Sequence, residues 1–132
     1  GVNTYRCTFR SAEFYLTAAE AALELNDMDN ARHYLTELMK KRYLSAIYPT
    51  YEAEILSMTQ DELREEIYNE RFRELAFEGH RWFDLRRTTR QELTKTYKGE
   101  TYVLQKDDSR YTLRIPADAI EANPGLEEEN RE

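Results

Sequence analysis

The residues from Thr59 to Arg87, TQDELREEIYNERFRELAFEGHRWFDLRR, constrain this fold more than any other stretch. Thr59 and Glu62 stand at the spacing of a capping box. The threonine oxygen accepts the amide of the third helical residue, and the glutamate reaches back to the threonine amide. No proline follows until Pro116, so a long central helix is expected, with a kink or short break near Gly79.

At 100° per residue, Leu63, Ile67, Phe77 and Leu85 fall on one face, and Tyr68, Phe72, Leu75, Trp82 and Phe83 on a second. The polar sector is narrow: Glu66, Asn69, Arg73, His80 and Arg87, with Asp84 at its edge. A helix so nearly apolar all round is expected to pack on several sides. Glu70, Glu74 and Arg81 share the face of Leu63 and Ile67, where an isolated charge is too costly to keep. Arg71 precedes Glu74 by one turn, and Glu78 precedes Arg81 by one turn. The expectation is therefore a structural ion-pair network along the helix, made of Glu70, Arg71, Glu74, Glu78, Arg81 and Asp84.

A chain of 132 residues is ordinarily one domain. Four glycines and three prolines argue for helices joined by short turns rather than many strands. Most of the net charge of −7 sits in the acidic stretch after Pro116, and no basic stripe marks a nucleic-acid surface. Cys7 is alone, and Thr4-Tyr5-Arg6 before it is not the small-residue context of a lipoprotein cleavage site. No signal peptide opens the chain and no apolar run approaches a membrane span, so a fragment is expected.

Residues 1–9 contain β-formers (Val2, Tyr5, Phe9) without a pattern. Ser11 is the expected cap of a first helix over about 12–25, with an Ala18, Ala19, Ala22 face that admits a close neighbour. Asp29 or Asn30 is expected to cap a second helix reaching about Arg42, which completes an αα-hairpin similar to a tetratricopeptide unit. Residues 43–58 read as a connector around Pro49, with a short element at Ala53–Leu56. Residues 88–96 read as a frayed helix end. Strands are expected at Thr101–Gln105 and Arg110–Ile115 around Lys106-Asp107-Asp108-Ser109, then one helical turn at Ala117–Glu121 and a turn at Asn123-Pro124-Gly125.

His80 near Glu78 and Asp84 lacks the spacing of a helical zinc motif and reads as a surface histidine, and His33 has no partner at ligand spacing. No metal, cofactor or catalytic residue is therefore expected. The acids Glu70, Glu74, Glu78 and Asp84 could supply a glycosidase pair. They lie on one helix among arginines that would keep them ionised, whereas catalytic pairs project into a cleft from separate elements. Tyr43, Tyr48 and Tyr51 are the tyrosines expected to be most exposed. Tyr48 and Tyr51 are weak candidates for stacking on a sugar, although helical tyrosines more often pack with the hydroxyl at the rim. Trp82 reads as core.

ERFRELAFEGHRWFDLRR, residues 70–87, resembles the signature of the SusD/RagB family of glycan-binding outer-membrane lipoproteins from Bacteroidetes. Arg10-Ser11-Ala12-Glu13-Phe14-Tyr15-Leu16 is similar to the opening of that family's tetratricopeptide-like scaffold. The run from Leu104 through Pro116 to Asn123-Pro124 resembles its closing segment. The resemblance implies a mainly α fold: a tetratricopeptide-like helical hairpin plus a long central helix, with a small C-terminal β-hairpin. It implies that residues 1–132 are a single domain and the C-terminal part of a longer protein. That protein would be held at the extracellular face of the outer membrane by an N-terminal lipid anchor absent from this chain. It would bind an oligosaccharide or other nutrient, for delivery to a TonB-dependent, SusC-like transporter. A protein-binding helical adaptor and a carbohydrate hydrolase are the alternatives.

Overall fold

The computed structural model describes residues 10–126. Expectations for residues 1–9, including Cys7, and for the acids beyond Leu126 lie outside them. The chain forms two compact units, the first ending at Arg81 and the second beginning at Trp82.

In the first unit, helix α1 (Ser11–Glu24) and helix α2 (Met28–Met39) form the expected hairpin. Both starts differ from the sequence reading. Ser11 is the first helical residue, and the extended Arg10 precedes it without a side-chain cap. The Arg10 guanidinium instead donates to the Glu74 carbonyl and, at 3.1 Å, to its carboxylate. Helix α2 is capped by Asp27 rather than Asp29 or Asn30. Its carboxylate accepts from the Asn30 amide at 3.2 Å and from the Asn30 side chain at 2.6 Å. The turn between the helices closes as a Schellman motif. Asn26 takes the left-handed conformation (φ 59°), the Asp27 amide donates to the Ala22 carbonyl at 2.8 Å, and the Asn26 amide donates to Leu23 at 3.0 Å.

Leu16, Ala19 and Leu23 of α1 meet Ala31, Leu35, Leu38 and Met39 of α2 in one core. Ala19 and Ala31 are both fully buried and Ala22 nearly so, whereas Ala18 of the expected small-residue face is only half-buried. Residues 48–57 are not a connector but a third helix, α3 (Tyr48–Ser57). Pro49 lies in its first turn, where no intrahelical N–H is needed, so it starts the helix instead of breaking it. Ile55 is its buried contribution to the core.

Helix α4 (Gln60–Glu74) begins with the predicted capping box. The Thr59 amide donates to Glu62 at 2.8 Å, and the Glu62 amide donates to the Thr59 hydroxyl at 3.4 Å. Leu63 and Ile67 complete the core against α1 and α2. Residues 75–79 turn, with Phe77 at φ 65° and Gly79 at φ 83°, and helix α5 (His80–Arg87) follows. The break falls where Gly79 placed it. The all-round burial does not hold, because Phe72 and Phe83 are more than half exposed and Phe77 is fully exposed. Within its unit α4 buries one side only: Leu63, Ile67, Glu70 and Arg71.

In the second unit, Asp84 and Leu85 are the buried residues of α5. Strands β1 (Leu93–Tyr97) and β2 (Glu100–Leu104) pair antiparallel, with Leu93 opposite Leu104 and Tyr97 opposite Glu100. The hairpin thus lies earlier than expected, and residues 93–97 are strand rather than frayed helix. Lys98 (φ 50°) and Gly99 (φ 83°) form a two-residue loop with both positions left-handed, which matches the twist of paired strands. The expected second strand is partly a 3-10 turn, Ser109–Tyr111, because the Asp108 carboxylate accepts the Arg110 amide at 2.9 Å and folds the chain locally. Tyr111 is fully buried. It stacks on the half-buried Trp82 at 5.1 Å between ring centres, and its hydroxyl donates to the Gln91 carbonyl. Pro116 precedes the short helix α6 (Ala117–Ala122), and a 3-10 turn spans Pro124–Leu126. No helix among the described residues is long and apolar enough to cross a membrane.

Candidate functional site

The charged residues of the Glu70–Arg81 stretch define the candidate site of the first unit, and Asp84 and Arg87 belong to the second. Glu74 ends α4 with its side chain 8% exposed. It accepts from Arg42 Nε at 2.8 Å and Arg42 Nη2 at 2.7 Å, a two-pronged pair. Arg10 contributes a third guanidinium contact and also lies 3.2 Å from Glu78 Oε1. The partners of Glu74 therefore come from the start of α1 and the loop after α2, whereas the helical wheel pointed to Arg71 and Arg81. A wheel displays neighbours on one helix and is blind to side chains arriving from others. The Arg42 hydrogen bond outweighs burial and holds the Glu74 carboxyl below its ordinary range.

Glu70 is almost wholly buried and accepts from Arg73 Nε at 2.8 Å. Burial raises its carboxyl above the ordinary value in spite of Arg73. Arg73 also donates to Glu66 at 2.6 Å, and Glu66 accepts the Tyr51 hydroxyl at 2.7 Å. One polar chain thus runs from α3 to α4 through Tyr51, Glu66, Arg73 and Glu70. Arg71 is buried and donates to Thr17 of α1 at 3.3 Å. Arg81 sits over the Phe72 ring at 4.7 Å, a cation–π contact rather than the expected carboxylate pair. In the second unit the buried Asp84 accepts from Arg87 at 2.8 Å.

Tyr48 and Tyr51 are not the exposed rings expected. Both pack partly buried against the core, as does Tyr43, which stacks on Tyr51 at 4.5 Å. The Tyr48 hydroxyl donates to Glu52 at 2.8 Å, and burial followed by that bond pushes its pKa up to about 12. Burial raises the Tyr51 hydroxyl further, with Glu66 adding to the effect. Their polar tips are occupied by protein, so these rings brace α3. His80 is half-buried with Nδ1 3.9 Å from Glu13, and the exposed His33 lies against the Tyr34 ring. No cluster of three metal-ligating side chains forms among the described residues.

This chemistry joins helices. The contacts of Glu74 with Arg10 and Arg42, and of Arg64 with Glu24, tie α4 to other elements, and Arg73 satisfies the buried Glu70. Sequence reasoning found the acids but missed Arg10, Arg42 and Arg73 as their partners, and Glu66 as a second acceptor for Arg73. Arg10 was within reach, since it opens the Arg10–Leu16 motif already singled out.

The model of the SusD family matches residues 1–131. A SusD-like protein, P25, from Formosa agariphila is 40% identical over 80 residues, covering 61% of this chain and 14% of that relative. The matched segment is thus a small part of the relative's length. The mainly helical fold, its small antiparallel hairpin and the Glu70–Arg87 motif agree with the match over nearly the whole length. The chain belongs to the SusD family.

Proposed function

We propose that the full-length protein binds a nutrient glycan at the outer face of the outer membrane and passes it to a TonB-dependent, SusC-like transporter. In this reading the chain is a C-terminal portion of a longer lipoprotein, and its first unit is a rigid helical platform. The observation that carries the reading is the family match over residues 1–131. The geometry supports binding rather than bond cleavage. Glu74 and Glu78 share Arg10, and Glu70 is buried against Arg73. A carboxylate pair so engaged is poorly placed to protonate a leaving group.

Purification of the full-length protein from native outer membranes under mild detergent tests the proposal. A TonB-dependent transporter should co-purify in near-stoichiometric amount. Recovery of the protein without a transporter, or from the soluble fraction, contradicts it.

A further inference from the structure

The β1–β2 hairpin carries a feature that the platform does not use. Side chains alternate along a strand, so the register places Leu93, Lys95 and Tyr97 on the same face as Leu104, Tyr102 and Glu100. The half-buried Leu93 and Leu104 close one end of this face. At the other end Tyr97 is 63% exposed and Tyr102 54% exposed. They are diagonal neighbours, at a backbone spacing of about 7–8 Å. The opposite face carries Thr94, Thr96, Thr101 and Val103.

From this geometry we infer that Tyr97 and Tyr102 form a stacking platform for an uncharged oligosaccharide. The inference rests on the glycan-binding reading and deepens it by naming contact residues. A pyranose offers apolar C–H patches on its faces and hydroxyls around its rim. Two neighbouring phenol rings meet the patches, and donors and acceptors on the same face meet the hydroxyls. Here Glu100 accepts the Tyr102 hydroxyl at 2.6 Å, which fixes that ring, and the Lys98 ammonium lies over one face of the Tyr97 ring, 5.3 Å from its centre, so a sugar would stack on the other face. Lys95, Lys98 and Glu100 mix both signs of charge around the rings, which favours a neutral polyol over a polyanion. Two isolated rings in a polar surround are too small an apolar area for a stable protein interface.

The test uses the full-length protein and a panel of maltoheptaose, cellohexaose, xylohexaose and laminarihexaose, with affinity read by calorimetry. Tyr97→Ala/Tyr102→Ala should weaken binding of the preferred member by about tenfold or more, as expected for two lost stacking contacts. Tyr97→Phe should stay within about twofold, because the ring is kept. The thermal midpoint of the double variant should not move. Unchanged affinity in the double variant overturns the platform and leaves the glycan reading standing. A midpoint lowered by several degrees assigns the rings to packing within the protein and also overturns it. No affinity of the unaltered protein for any member of the panel contradicts both.

Discussion

Arg42 and Glu74, distant in sequence, meet in a two-pronged ion pair of 2.7 and 2.8 Å that holds the loop after α2 against the end of α4. The Glu74 side chain is nearly buried and the Arg42 side chain 44% exposed, so losing the arginine strands the costlier partner. Arg42→Ala should destabilise the protein by about 1–3 kcal/mol, below the range for a fully buried pair because one partner is solvated. Arg81→Ala, which removes a cation–π contact with Phe72, should cost about 0.5–1 kcal/mol. Thermal denaturation of the two variants side by side checks the order, and a larger loss from Arg81→Ala would contradict this assignment of partners.

The same pair sets a pH dependence. The Glu74 carboxyl lies below its ordinary range when folded, so it adds stability that is present above the unfolded value and lost as pH falls through the folded one. Glu70 has the opposite sign. Its raised carboxyl favours the folded state in acid, and that contribution fades as pH rises through the folded value. Midpoints measured from neutral pH down through the carboxylate range should converge for the wild type and Glu74→Gln. Wild type and Glu70→Gln should differ most at neutral pH, where the buried charge is present only in the wild type. Parallel curves for all three proteins would show that neither acid titrates differently on folding.

The α1–α2 contact depends on small side chains. Ala19 is fully buried between the two helices, so Ala19→Leu should force them apart and cost about 1–3 kcal/mol. Chemical denaturation measures it, and an unchanged midpoint would mean that the interface has room.

Much of this was legible in the sequence because it is local chemistry. Thr59 and Glu62 announce the start of α4 three residues apart, and Gly79 announces its end. The alanines of α1 announce a close neighbour. What escaped was set by context. Pro49 read as an interruption, yet at a first turn a proline costs the helix nothing. Lys98-Gly99 is a weak hairpin signal because lysine rarely adopts a positive φ, so the sequence pattern points to strands one segment later than the structure shows. The partners of Glu74 come from Arg10 and Arg42, and no pattern within one helix reports a neighbour that folding brings in.

Phe77 offers a test of backbone geometry without packing. It holds φ 65° with its ring fully exposed, a conformation that costs a bulky residue about 1–2 kcal/mol. Phe77→Asn in the 132-residue chain should leave the midpoint unchanged or raise it, since asparagine tolerates this region. A clear fall would show that the ring makes contacts.

We propose that the outer surface of the first unit meets the transporter. Glu24 pairs with Arg64 of α4 at 3.0 Å and Glu13 lies beside His80, so both are engaged within the unit. Lys40 and Lys41 follow α2 and are exposed. Reversing both to Glu in the full-length protein should reduce co-purification of the transporter while glycan affinity stays the same. Loss of glycan affinity with the transporter retained would exchange the two faces.

The most direct measurement pairs binding with turnover. The full-length protein is titrated with the oligosaccharide panel, and the same mixtures are assayed for reducing ends after prolonged incubation. The account predicts saturable binding of at least one oligosaccharide and no release of reducing ends. Turnover that vanishes in Glu74→Gln or Glu78→Gln would contradict it, and so would the absence of binding across the panel.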